Sequence, residues 1–441
     1  MKIIRKYYSF VFFIFSILFL LYVTKKSKIF FDLSRIETYY PYIILSLFLL
    51  ITSIISFFLN NNKKDYLIII SISIVTSLYL FEAYLSTLSR EQDHKKRVEL
   101  INKSGKKYDT RRPFEIFKDL KKNNKDISYA VTPTYFSKKR FELFPLSGVS
   151  RRHTILCNEN GFYAIFKSDR YGFNNPDSEW NNNVEYLIIG DSFAHGSCVN
   201  QKDTVSGKIR FYKNTSALNL GHGGNGPLIE YATLREYIKL INPKYIIWMY
   251  YEANDLENLK QELKNEILLK YLLDDKFSQN LIEKQKDIDI YLNSNFQNNL
   301  TKEAKLNQND NKFTFNIKYF ITFVQIRNLT LEKYFTSIDP NFKKILKYSK
   351  DLSIKNNAKL YFLYVPEYSR FKKGFTLQNS SRLYKKVIKI INELEIDLID
   401  LNKILSDKKN TINFFPLNGG HFNENGYDFV SKVIINETQN D

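Results

Sequence analysis

The sequence has little of the residue types that build metal and nucleic-acid sites. Two of its 441 residues are cysteines, too few for a thiolate metal centre. No zinc-ligand spacing, arginine-rich helix or aromatic RNA-binding motif accompanies the net charge of +19, so we expect no nucleic-acid partner. Glycine and alanine are scarce, whereas lysine, asparagine and isoleucine are abundant throughout. We therefore attribute the charge to overall composition, and we expect neither a metal nor another cofactor.

The two cysteines, Cys157 and Cys198, leave two possibilities open. They form one disulfide if the C-terminal part of the chain lies outside the cytoplasm, and they are two buried thiols otherwise.

Charged residues are nearly absent from three long apolar segments at the N-terminus. These segments predict transmembrane helices over about residues 7–24, 39–59 and 66–87, because a helix needs about 20 apolar residues to cross a bilayer. No small-residue cleavage site follows the first segment, so residues 1–88 are predicted to form an uncleaved membrane anchor.

Three spans place the two ends of the chain on opposite sides of the membrane. The lysine and arginine residues at the N-terminus and in the loop over residues 60–65 favour a cytoplasmic N-terminus. The other loop, residues 25–35, is also basic, so a cytoplasmic C-terminal domain is the alternative. We expect an integral protein of the bacterial inner membrane whose C-terminal domain lies outside the cytoplasm.

A polar, basic connector is expected over residues 89–153, and after it short apolar runs alternate with helical segments. Apolar runs separated by helices indicate a parallel sheet that is covered on both faces. The strand candidates are Val184–Ile189, Ala217–Leu220, Tyr245–Tyr251, Lys359–Val365 and Ile396–Leu401. We predict a flavodoxin-like three-layer α/β/α sandwich with a five-stranded parallel sheet over residues 154–441. Residues 256–346 are predicted to be a helical insertion, either a cap over a site or a packing surface.

Ligands of such sheets bind outside the carboxyl ends of the strands, so the residues after each strand are the site candidates. Ser192 follows the first strand in "GDS", the glycine-rich "NLGHGGNGP" follows the second, and Asn254 follows the third. His421 lies between the fifth strand and the last helix. A serine that a histidine deprotonates is a nucleophile for acyl transfer, and glycine and asparagine amides can bind the oxyanion.

These four blocks resemble those of the SGNH (GDSL-type) hydrolase superfamily over roughly residues 154–437. The resemblance implies that Ser192 is the nucleophile and His421 the general base. It assigns the oxyanion hole to the Ser192 and Gly224 N–H groups and to the Asn254 side chain. Asp191 and Asp255 are possible supporting residues, which would help to position the nucleophile and the oxyanion hole.

Two residues depart from the family pattern. Glu252 stands where the third block has glycine, and Asn418 stands where the last block has the aspartate that orients the histidine. An asparagine carries no charge, and this exchange in a serine-protease triad costs about 10⁴-fold in rate. Four arrangements are open: a Ser–His dyad, a backbone carbonyl that orients His421, Asp400 or Asp407 reaching in, or a degraded site.

The family resemblance implies a membrane-anchored esterase or O-acyltransferase that acts on small acyl esters of cell-envelope carbohydrate. A transferase would need a partner membrane protein to deliver the acyl donor, because three spans are too few to carry it across the bilayer. The alternative is a non-catalytic SGNH-like module that binds glycan or scaffolds an envelope complex. His195 and His222 are interpreted as structural or pocket-lining residues.

Overall fold

The computed structural model describes residues 2–27, 36–105, 107–123, 126–133, 143–181, 183–294, 320–326, 338–371, 378–416 and 420–439. The chain divides into two compact units. The first contains residues 1–96, 312–337 and 378–383, and the second contains residues 97–311, 338–377 and 384–441.

The first unit is built on three long helices. They are α1 (Lys2–Ser27), α2 (Ile36–Phe58) and α3 (Asn61–Ser104). Each contains a stretch that is long and apolar enough to cross a membrane, over Ile3–Ser27, Tyr39–Phe58 and Asn61–Ser86. The three segments predicted as spans are therefore helical and apolar, although α3 continues well beyond its apolar stretch.

Small polar residues line the contact between α1 and α2. Ser9 and Ser16 are buried, and their hydroxyls donate to the carbonyl oxygens of Ser56 at 3.1 Å and Leu49 at 3.3 Å. Small side chains let membrane helices approach closely, and their hydroxyls bond across the contact.

The second unit contains the predicted parallel sheet. Its strands are β4 (Val184–Gly190), β5 (Ser216–Asn219), β6 (Tyr245–Tyr251), β7 (Lys359–Val365) and β8 (Asp397–Asp400). They lie in the order β5-β4-β6-β7-β8, and all neighbours are parallel. In chain order this is 2-1-3-4-5, the flavodoxin-like order. The predicted fold class is confirmed.

Helices cover both faces of this sheet. They are α5 (Ser192–His195), α6 (Val205–Lys213), α7 (Pro227–Tyr237), α8 (Asp255–Glu262), α9 (Glu266–Leu273), α10 (Pro340–Lys355), α11 (Gln378–Glu393), α12 (Leu401–Ser406) and α13 (Glu424–Gln439). Alternate residues of β6 face opposite layers. Met249 joins the cluster that contains residues of α6 and α13, whereas the Tyr250 ring lies 5.7 Å from that of Phe342 in α10. Both faces are apolar because both are buried.

A second, small sheet lies before the main one. Its strands are β1 (Ile127–Tyr129), β2 (His153–Ile155) and β3 (Ile165–Lys167), after helix α4 (Pro113–Asn123). β1 pairs with β2 in parallel, and β2 pairs with β3 as a hairpin. β1 lies in the expected connector, residues 89–153, but it pairs with β2, which crosses the expected boundary between residues 153 and 154. The predicted insertion over residues 256–346 lies partly outside the described residues.

Candidate active site

β4 ends in a turn that brings Ser192 to the carboxyl edge of the sheet. Gly190 has φ +149°, and a Cβ there would lie 2.6 Å from the carbonyl oxygen of Met249, so the turn requires glycine. The Asp191 carboxylate accepts the Phe193 N–H at 2.9 Å and caps the four-residue helix α5. The Ser192 hydroxyl donates to Asp191 Oδ2 at 3.2 Å. Asp191 thus holds the hydroxyl of the predicted nucleophile.

The glycine-rich loop after β5 passes beside this serine. The chain reverses direction over residues 222–225. The Asn225 N–H donates to the His222 carbonyl oxygen at 3.1 Å. Gly224 has φ +77° at the third position of that turn, as a type II turn requires. A Cβ on Gly223 would lie 3.9 Å from Cβ of Ser192. Gly223 therefore borders the serine directly, while Gly224 shapes the turn; the oxyanion role of Gly224 stays a prediction.

Asn254 and Asp255 connect β6 to α8. Burial raises the pKa of Asp191, and a hydrogen bond from the Asn254 side chain is among the contacts that lower it again. The Asn254 amide therefore lies beside the nucleophile turn. Asp255 is fully buried, and its carboxylate accepts the Tyr251 N–H at 2.8 Å. It fixes the start of α8 and with it the position of Asn254.

His421 is held by Glu159, a residue that was not among the predicted site residues. Its Oε1 lies 3.1 Å from Nδ1 of His421, and its Oε2 accepts the His421 backbone N–H at 2.8 Å. The imidazole centroid lies 5.0 Å from that of Phe193, the residue after Ser192. The histidine that the sequence assigns as base thus has a carboxylate partner and lies next to the nucleophile turn.

The two neighbouring carboxylates raise the pKa of His421 above its ordinary value. Burial alone would lower that pKa, because it disfavours the imidazolium. The hydrogen bond and charge of Glu159, with a smaller contribution from the charge of Asp191, raise the pKa by more than burial lowers it. The site therefore stabilises a protonated His421, the form that arises when a general base takes a proton.

The aspartates considered from the sequence have other partners. Asp400 accepts the Lys403 N–H at 3.1 Å, which caps α12, and it also accepts the Tyr384 hydroxyl. Asp407 is exposed at the end of that helix. Asn418 lies outside the described residues. In the described part of the chain, Glu159 is the carboxylate that bonds to the His421 ring.

The carboxyl edge of the 2-1-3-4-5 sheet thus carries four blocks in chain order. They supply a serine, a glycine loop, an asparagine and a histidine. This is the block order of the SGNH pattern, on a flavodoxin-like sheet.

Solved structures of this fold class match the chain at low sequence identity. A lipase/acylhydrolase from Enterococcus faecalis is 11% identical over 58% of this chain and 95% of its own, with a TM-score of 0.33. A member of the lipolytic G-D-S-L family from Veillonella parvula is 12% identical over 57% and 97%, with a TM-score of 0.30. A psychrotrophic esterase from Pseudoalteromonas sp. is 9% identical over 59% and 100%, with a TM-score of 0.31. No family model and no curated protein matches the chain.

Glu252, which departs from the SGNH pattern, forms a buried ion pair. Its Oε2 accepts Nε–H of Arg370 at 2.6 Å, and its Oε1 pairs with the same guanidinium. Oε2 also accepts the Glu367 N–H at 3.1 Å. The side chains of Glu252 and Arg370 are 5% and 14% exposed. The glutamate therefore ties the loop after β7 to the loop that carries Asn254.

His195 and His222 stack on each other inside the second unit. Their ring centroids lie 4.6 Å apart, and both rings are buried. Burial lowers the pKa of both, that of His222 to about 4. Both are therefore neutral at physiological pH. This packing agrees with the structural interpretation of the pair.

One group in the described part of the chain has metal-ligand spacing, namely Glu159, Cys198 and His421. Cys198 forms a disulfide with Cys157, so its sulfur is not the thiolate that a metal would bind. The glutamate and histidine are already paired with each other. These three residues are accounted for without a metal.

The sequence did contain a signal for Glu159. It lies in "CNENGF", two residues after Cys157, and Cys198 lies six residues after Ser192. A Cys157–Cys198 bridge brings the segment of Glu159 close to that of Ser192, although Glu159 precedes His421 by 262 residues.

Proposed function

We propose that the chain is a membrane-anchored serine esterase or O-acyltransferase of SGNH type. Ser192 is its nucleophile, His421 its general base and Glu159 the carboxylate that orients the base. The observation that carries this proposal is the pair of hydrogen bonds between Glu159 and His421, at 3.1 and 2.8 Å. Through these bonds the Glu159 carboxylate places beside His421 the negative charge that Asn418 lacks.

The acceptor at Nδ1 fixes the tautomer of the base. A carboxylate accepts the Nδ1–H, which leaves the Nε2 lone pair free to take a proton. The Ser192 hydroxyl turns from Asp191 toward Nε2 when substrate binds, and its oxygen attacks the acyl carbon. Backbone N–H groups of Ser192 and of the Gly223–Gly224 turn, with the Asn254 amide, bind the oxyanion. His421 then gives its proton to the leaving alcohol.

The acyl-enzyme can be resolved by two acceptors. Water gives hydrolysis, whereas a sugar hydroxyl gives O-acyl transfer. The family resemblance favours small acyl esters of cell-envelope carbohydrate as substrates. Transfer would require a membrane protein that delivers the acyl donor, and the bilayer itself is the partner of the three apolar helices.

The disulfide and the three spans favour a C-terminal domain outside the cytoplasm of a bacterium. Disulfides persist in oxidising compartments such as the periplasm. Alkaline phosphatase fused after Asp441 is expected to be active in cells, and a cytoplasm-only fluorescent reporter at the same position is expected to be dark. The opposite pair of results would place the domain in the cytoplasm.

Turnover of a short-chain ester tests the catalytic proposal. The full chain, purified in detergent, is expected to hydrolyse p-nitrophenyl acetate, and Ser192→Ala is expected to abolish this. Ser349→Ala is the matched control, because Ser349 is a buried serine of α10 whose hydroxyl bonds to the Ile345 carbonyl at 2.9 Å. Absence of turnover in the unmodified chain would favour the non-catalytic module.

A further inference from the structure

The Cys157–Cys198 disulfide lies directly against the Glu159–His421 pair. The Cys198 sulfur, a Glu159 carboxylate oxygen and a His421 ring nitrogen all lie within 4.8 Å of one another. Cys198 is fully buried. We propose that this disulfide is a positioning element of the active site, which holds Glu159 against His421. The inference rests on the proposed function, because it assigns Glu159 to the orientation of the base.

The need for such an element follows from where Glu159 is located. The main sheet carries Ser192, Asn254 and His421, whereas Glu159 lies in the loop of the hairpin between β2 and β3. These strands have three residues each. The loop between them, residues 156–164, lies outside the main sheet, so local opening of this loop would separate Glu159 from His421.

One further hydrogen bond joins this loop to the segment that follows Ser192. Asn160 Nδ2 donates to the Cys198 carbonyl oxygen at 3.0 Å. Cys198 itself has φ +64°, a left-handed conformation that residues other than glycine adopt rarely. The backbone of the nucleophile loop is therefore bent at the residue that makes the covalent link.

The other side of the hairpin loop is held by the segment after α3. Asn158 Nδ2 donates to the Asp109 carbonyl at 2.7 Å, and the Tyr108 hydroxyl donates to the Asn158 carbonyl at 2.8 Å. These bonds keep the loop folded but do not reach His421. The disulfide is the covalent connection between the acid-bearing loop and the loop of the nucleophile.

Reduction would break this connection without touching a reacting atom. A phosphine reductant supplies two electrons to the S–S bond, water supplies the two protons and the oxygen, and two thiols and a phosphine oxide form. Glu159 would then leave His421 for part of the time. His421 would lose a neighbouring negative charge, and its pKa would fall.

The direct test is an NMR titration of histidine in the full chain, with the His421 signal assigned by His421→Asn. Four proteins are compared: the unmodified chain, Cys157→Ser/Cys198→Ser, Glu159→Gln, and the triple variant. We expect the serine pair to lower the His421 pKa by about one pH unit, in the direction of the Glu159→Gln value. In the triple variant the two effects should not add, because the disulfide acts through Glu159.

A matched core variant separates this effect from general destabilisation. Leu346→Ala removes a fully buried side chain of α10, on the face of the sheet covered by that helix, and should lower the melting temperature but leave the His421 pKa in place. An unchanged His421 pKa in the serine pair, or additive effects in the triple variant, would overturn the inference. This readout does not depend on turnover, so failure of the proposed esterase activity is a separate result.

Discussion

Gly420 and Glu159 lie so close together that a Cβ at position 420 would fall 2.5 Å from Oε2 of the carboxylate. Gly420 also has φ +112°. A methyl group there must displace the carboxylate or shift the histidine that follows. We expect Gly420→Ala to lower kcat by about tenfold or more, since misplacing a catalytic group by an ångström can cost about a hundredfold.

Gly105→Ala is the control for this substitution. Gly105 has φ +67°, but a Cβ there would meet nothing within 4 Å. It therefore introduces backbone strain without the contact. Equal effects of the two substitutions on ester turnover would show that strain, and not displacement of Glu159, explains the loss.

Removing the charge of Glu159 should change both the rate and its pH dependence. We expect Glu159→Gln to lower kcat by about 10²–10⁴-fold, as in other triads that lose their carboxylate. Glu159 raises the pKa of His421, and the base works in its neutral form. The acid limb of the kcat/KM profile should therefore move to lower pH in the variant. An acid limb that stays in place, or moves to higher pH, contradicts the role of Glu159 as the partner of His421. Glu437→Gln, at an exposed site, is the matched control.

The buried ion pair between Glu252 and Arg370 should contribute to stability only as a pair. Arg370→Met leaves a buried carboxylate without its partner, which costs about 3–5 kcal/mol. We expect Glu252→Gln/Arg370→Met to recover part of that loss in a thermal melt. Lys103→Met is the control, because Lys103 and its partner Glu99 are 72% and 64% exposed and exposed pairs contribute little. A double variant no more stable than the single one would show that the pair is not coupled.

A group of buried carboxyls behind the site should make stability depend on pH. Glu230 is 1% exposed, and burial, with the charges of Asp191 and Glu262, raises its pKa. Burial also raises the pKa of Glu262, to about 8. Groups whose pKa is raised on folding stabilise the folded state below their ordinary pKa, and this stabilisation is lost as pH rises through the raised value.

The melting temperature is therefore expected to fall between pH 5 and about pH 8. Glu230→Gln removes one of these titrations while keeping the shape of the side chain, so its melting temperature should fall less over the same range. Parallel curves for the variant and the unmodified chain would contradict the buried, protonated state of Glu230.

The sequence predicted the sheet well because the central strands β4, β6 and β7 are mostly apolar on both faces and each is followed by a recognisable turn or loop. Gly190 and Ser192 could be placed for the same reason, since a parallel sheet brings such turns to one edge. Glu159 could not be placed in this way, because it reaches the site from a hairpin outside that sheet, and the sequence left open the Cys157–Cys198 bridge that would connect it. Position 418, where the SGNH pattern has its acid, is an asparagine in this chain.

Glu252 illustrates a second limit. From the sequence it is only a departure from the SGNH pattern, at a position where the third block has glycine. Its partner Arg370 follows the next strand of the sheet, and the pairing becomes visible once β6 and β7 are neighbours. Sequence spacing alone does not report which loops of a sheet contact each other.

The most direct test of the account is to identify the residue that a fluorophosphonate modifies in the full chain. The reagent phosphonylates a serine whose hydroxyl a neighbouring base activates. We predict a single adduct, mapped by peptide mass spectrometry to Ser192, which forms much more slowly in His421→Ala and Glu159→Gln. An unmodified Ser192 in the intact protein, or equal labelling in the His421→Ala variant, would contradict the assignment of Ser192, His421 and Glu159 to one catalytic site.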